Sequence, residues 1–105
     1  MDYDLYFHSD FDGHASAAVF LNFVKSRGDG VRNFFPVDHE IKPRWEKLKF
    51  KNSFAVFDFY FHPKAAYFFD HHATTFIKKS WKKAFRPSKL FFLQPRYFSC
   101  CRLTL

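Results

Sequence analysis

Three short apolar runs, Tyr3–Phe7, Phe54–Phe57 and Tyr67–Phe69, each lead directly into a polar cluster. The clusters are His8-Ser9-Asp10-Phe11-Asp12-Gly13, the single Asp58, and Asp70-His71-His72. Runs of this length, bounded by polar residues, read as buried strands. Within the first cluster the imidazole and two carboxylates alternate with Ser9 and Phe11. An extended or tightly turning backbone would therefore direct all three side chains to one point. Gly13 then allows the chain to turn sharply. Carboxylates crowded in this way repel one another and require a cation.

The segments between the runs are helical or long and polar. His14–Ser26 predicts a helix, because Ala15, Ala18, Val19 and Phe23 share one face and Lys25 and Arg27 suit its C-terminus. Gly28-Asp29-Gly30 is a turn, and the small residues at 15–18 let the helix lie close to a sheet. A helix that begins just past the acidic cluster aims its free amides at it, which favours a bound phosphate. Val31–Val37 predicts a second strand, followed by Asp38-His39-Glu40. Ile41–Ser53 is polar, broken by Pro43 and expected at the surface, with Trp45 and Leu48 anchoring a short amphipathic helix. Thr74–Lys89 predicts a basic helical turn, Leu90–Leu93 a fifth strand, and Ser99 onward the start of a helix.

Strands separated by such segments, with no two-residue hairpin turns, favour an α/β fold whose sheet is mostly parallel and flanked by helices. Ligand sites in such sheets lie beyond the carboxyl ends of the strands, where all three polar clusters fall. They are expected to meet in space.

At 105 residues the chain is expected to form one small domain. Its formal charge of +7 suggests a nucleic-acid binder, but that charge is unevenly placed. Residues 1–72 contain all the acids, whereas 73–105 contain eight Lys/Arg and none. The tail would attract phosphate-bearing substrates or form a solvated basic face. The 18 Phe residues reflect either coding bias or surface that a partner covers. Cys100 and Cys101 are neighbours and cannot staple a fold, which fits a reducing cytoplasm. No apolar run is long enough to span a bilayer, and the acidic start Met1-Asp2-Tyr3-Asp4 is unlike a signal peptide, so no membrane partner is expected.

Mixed imidazole and carboxylate ligation suits Mn2+ and also admits Mg2+, Zn2+ or Co2+, while clusters without Cys argue against structural zinc. So many donors suggest two ions, which together can activate a water and clamp a phosphoryl oxygen. Taken singly, His14, His39 and His62 read as ordinary residues, His14 near the helix start, His39 at a strand end and His62-Pro63 in a turn.

Asp70-His71-His72, His8-Ser9-Asp10-Phe11-Asp12-Gly13-His14-Ala15-Ser16-Ala17 and the strand-end Asp58 together resemble the DHH phosphoesterase superfamily over roughly 3–75. That superfamily includes RecJ-like exonucleases, oligoribonuclease, cyclic-dinucleotide phosphodiesterases, manganese pyrophosphatases and exopolyphosphatases. The resemblance implies a metal-dependent phosphoesterase acting on nucleotides, short nucleic acids or polyphosphate, with two manganese ions. It assigns His8 and Asp10 to the first ion, Asp12 and His71 to the second, Asp58 as a bridge, His72 to the substrate phosphate, and Asp70 to orienting His71. No acid follows Asp70, so the family's fourth acidic motif is missing, as are residues for its second, substrate-gripping domain. The resemblance therefore implies an N-terminal portion of such an enzyme, active or weakly active. Two alternatives stay open: a non-catalytic remnant that binds phosphate or nucleic acid through its basic tail, and an incompletely folded product.

Overall fold

The three apolar runs are adjacent strands of one parallel sheet. The computed structural model describes residues 2–70, 75–85 and 91–93, with the backbone alone for Phe11, Asp12, Ala84 and 91–93. In chain order the elements are β1 (Asp2–His8), α1 (Phe11–Ser26), β2 (Gly30–Val37), a 3-10 turn (His39–Ile41), α2 (Lys42–Trp45), β3 (Phe54–Phe57), β4 (Tyr67–Asp70), α3 (Lys79–Ala84) and β5 (Phe91–Leu93). The strands align as β2-β1-β3-β4-β5, and every neighbouring pair is parallel. This is the expected α/β architecture. His71, His72, Thr74, Leu90, Cys100, Cys101 and the predicted helix from Ser99 lie outside the described residues.

Strand alternation sends side chains to two cores. Tyr3, Leu5 and Phe7 join Ala55, Phe57 and Tyr67 against Ala17, Phe20 and Val24 of α1. On the other face Phe54, Val56 and Phe68 pack with Trp45, Phe59, Phe61 and Ala65, covered by α2 and α3. Burial on both faces is why β3 and β4 read as unbroken apolar runs. β2 is an outer strand, largely exposed from Arg32 to Pro36. Pro36 lacks an amide proton and is tolerated there because an outer strand has one side without a ladder.

The segment 41–53 is largely exposed and is anchored by Trp45, with Leu48 packed against the same core, as the spacing of the two suggests. The Trp45 ring is fully buried, and its Nε1–H donates to the Phe61 carbonyl at 3.1 Å. A lone indole in a polar stretch is thus the plug of the second core. Asp4 is also buried, and its carboxylate accepts from the side-chain amides of Asn33 (2.9 Å) and Asn52 (3.1 Å). It ties β2 and the approach to β3 onto β1.

α1 begins three residues before its expected start. Asp10 is its N-cap, with a carboxylate oxygen accepting the Gly13 N–H at 2.8 Å. Gly13 therefore lies inside the first helical turn and makes no sharp turn. A Cβ at Gly13 would overlap the His8 carbonyl oxygen and come 2.7 Å from its carbon. Glycine is needed there for close approach of helix to strand. The far end closes as a Schellman motif: the Asp29 N–H donates to Val24 O and the Gly28 N–H to Lys25 O, with Gly28 at φ 82°.

His62 opens the turn expected at His62-Pro63, its carbonyl accepting the Ala65 N–H at 3.1 Å, and its ring is buried among Trp45, Phe50, Phe54 and Trp81, with centroids 4.9–5.7 Å away. Its Nδ1 accepts the Lys64 N–H at 3.1 Å. Burial depresses its pKa, reinforced by the Lys64 charge and opposed by the Glu46 backbone and carboxylate. The unfolded chain takes up that proton first. The stability contributed by neutral His62 is complete above its unfolded pKa of about 6.5 and is lost as pH falls below it. Urea unfolding of the parent and of His62→Phe should show this: between about pH 7.5 and pH 5.5 the parent loses more stability than the variant. Equal losses would mean that His62 carries none of the effect.

Candidate metal centre

The strand order fixes where the site lies. The chain goes from β1 outward to β2, then crosses the opposite face to β3 on the other side of β1. The connections therefore diverge between β1 and β3, and the crevice beyond their carboxyl ends is the usual ligand position in such sheets. His8 ends β1, Asp10 caps α1 directly after it, and Asp58 follows β3.

These three side chains converge. His8, Asp10 and Asp58 each offer a ligand atom, all within 4.8 Å of one another. His8 Nδ1 is 2.8 Å from one Asp10 oxygen and 4.0 Å from Asp58 Oδ2. The Asp58 carboxyl is almost wholly buried, whereas that of Asp10 is half-exposed. Burial alone would raise the Asp10 pKa, but the Gly13 N–H, the Asp58 carboxyl and His8 outweigh it and hold the group below the ordinary carboxylate range. Two acids that share a hydrogen-bonding contact need a proton or a cation between them.

Asp58 takes its position through an uncommon backbone. Its φ is 61°, the only positive value at a non-glycine residue among the described residues. Aspartate tolerates this left-handed conformation better than most residues, at a cost on the order of 1 kcal/mol. The Asp58 N–H donates to Phe69 O at 2.9 Å, locking the turn to β4. Asp70, buried at the end of β4, lines the same cleft with His8, His39, Asp58, Tyr60 and Thr75.

Three residues not assigned to the site by sequence adjoin it. Asp38 lies 3.6 Å from His8 Nε2 and accepts the Ser9 hydroxyl. With Nδ1 facing Asp10 and Asp58, Nε2 faces a carboxylate that can hold its proton, a common way to orient a ligating imidazole. The His39 ring centroid is 5.1 Å from that of His8, and its Nδ1 is 2.8 Å from the Tyr60 hydroxyl. The signal for Asp38 and His39 was present in the chain: they follow β2 just as the other clusters follow their strands.

His14 and His62 stay outside the cluster. His14 Nδ1–H donates to the Asp10 carbonyl at 2.8 Å, and its ring packs on Phe7. Asp12 lies on α1, and the described residues do not include the side chain needed to place its carboxylate. The donor set of one imidazole and two carboxylates fits a divalent ion that accepts mixed nitrogen and oxygen ligands.

No protein-family model, curated protein or solved structure matches this chain. Fold and site together define an α/β domain with a His/Asp/Asp cluster at the switch point of a parallel sheet. Among the described residues, no helix is long and apolar enough to cross a membrane.

Proposed function

We propose that the chain is a metal-dependent phosphoesterase of the DHH type, hydrolysing phosphodiester or phosphoanhydride bonds in nucleotides, short nucleic acids or polyphosphate. The observation that carries this reading is the convergence of His8, Asp10 and Asp58 beyond adjacent strand ends. His8 Nδ1, the Asp10 oxygen that faces it and the Asp58 carboxylate would hold the ion, with Mn2+ preferred and Mg2+ or Co2+ acceptable. Such an ion supplies positive charge to a phosphoryl oxygen and acidifies a water. Asp38 orients His8, while Asp10 also caps α1 and so ties the donor set to the helix. Asp70 supports the cleft from β4. In this reading Asp12 and His71 contribute, with Asp58 as the bridge, to a second ion site that lacks the fourth-motif acid, and His72 contacts the substrate phosphate. A cytoplasmic setting goes with it.

Manganese should stimulate hydrolysis of bis(p-nitrophenyl) phosphate, and chelation should stop it. Asp10→Asn keeps an amide oxygen for the Gly13 N–H but removes the charge. Activity should then fall by about a hundredfold or more. An Asp10→Asn protein that hydrolyses as fast as the parent would remove the assignment.

A further inference from the structure

The fold redistributes the basic charge. In sequence the eight cations beyond residue 72 look like a separate tail. In space α2, the 59–66 segment and α3 form one layer on the second core, joined by the Lys78–Glu46 ion pair and the ring contacts of His62 with Trp45 and Trp81. That layer exposes five basic residues between 42 and 51, Lys64, and four between 78 and 83. Glu46 is the sole acid exposed within those stretches, and it is already paired with Lys78. Among the described residues, the opposite layer has only Lys25 and Arg27 at the end of α1, followed by Asp29.

Two half-buried aromatic rings sit among these cations. Trp81 packs on His62 and lies on α3 beside Lys79 and Lys82, and Tyr60 has the Lys42 ammonium 5.6 Å from its ring centroid. Cations interleaved with partly exposed rings suit a flexible polyanion with bases to stack. Duplexes present no unstacked base, and polyphosphate presents none at all.

We propose that this α2/α3 layer is a binding face for single-stranded nucleic acid. Tyr60 also lines the His/Asp/Asp cleft, so a strand on the face ends at that cleft. The affinity comes from phosphate contacts and stacking, so it does not depend on the phosphoesterase reading.

Anisotropy of a labelled oligothymidylate, titrated with the full chain in chelator, tests the face without metal. Four phosphate contacts would give a salt slope of about −3, or about a fiftyfold loss over a fourfold rise in salt. Reversing Lys47 and Lys82 to Glu should weaken binding by about tenfold or more and flatten the slope by about 2. The reversal Lys25→Glu with Arg27→Glu, on the other layer, should change it by less than about threefold. Binding should also quench Trp81 fluorescence, since Trp45 is fully buried. Circular dichroism checks that each variant is folded.

Equal weakening by both pairs of reversals would overturn the face, because only net charge would then matter. Inorganic polyphosphate or anionic vesicles binding as tightly as the oligonucleotide, with no Trp81 quenching, would overturn the choice of ligand. No manganese-stimulated hydrolysis by the parent chain, with oligonucleotide binding intact, would count against the phosphoesterase reading alone.

Discussion

Gly13→Ala should lower the thermal unfolding midpoint by roughly 15 °C. At an ordinary helical position the same change helps by up to about 1 kcal/mol, so the expected sign is reversed. The reason is the approach of α1 to the end of β1, where the added methyl would meet the His8 carbonyl group and come 3.1 Å from its nitrogen. These are backbone atoms and cannot swing aside, so the helix start must move away. Overlap of this kind costs about 3 kcal/mol where neighbours cannot yield. Because Asp10 caps that same turn, its carboxylate should move with it. Gly28→Ala provides the contrast: a Cβ there meets nothing, so only the left-handed φ is charged, about 1 kcal/mol. Calorimetry on both variants decides, and a Gly13→Ala protein as stable as the parent would refute the close-approach account.

Asp58→Asn should separate folding from metal binding. With manganese at about a hundred times its dissociation constant, the parent should gain about 2.7 kcal/mol, or roughly 10–20 °C in midpoint. The variant should gain almost none. Without metal it should melt at or above the parent temperature, since Asn also tolerates a positive φ and brings no charge into a buried position. Differential scanning fluorimetry with and without Mn2+ reads both effects. A metal-induced shift of the same size in both proteins would show that Asp58 is not a ligand.

The strands were legible because a parallel sheet buries both faces and leaves continuous apolar runs. Phe54–Phe57 is a strand from end to end as read, and Tyr67–Phe69 extends only to Asp70. The helix start was misplaced because Gly13 looked like a turn residue. The capping pattern of Asp10 was the better guide, since a side chain that accepts from the amide three residues on marks an N-terminus. Convergence of His8, Asp10 and Asp58 could be expected from their shared position after strands. Asp38 and His39 carried the same signal, since they follow β2, and their nearness to His8 required in addition that β2 pair with β1. Trp45 could be expected to anchor its segment, whereas burial of His62 was illegible for a related reason: it fills a gap between segments distant in sequence. The basic face was hidden because it unites residues 42–51 with 78–83, which linear charge counting separates.

β1 pairs with β2, the next strand in the chain, on one side and with the later β3 on the other. The donors His8 and Asp58 have no local precursor and become neighbours only when β3 docks. An ion held between them would therefore act as a latch set after assembly and not as a template around which the chain organises. Its effect belongs on the unfolding side of the kinetics, where it lengthens the life of the native state and leaves the rate of reaching it to the sheet.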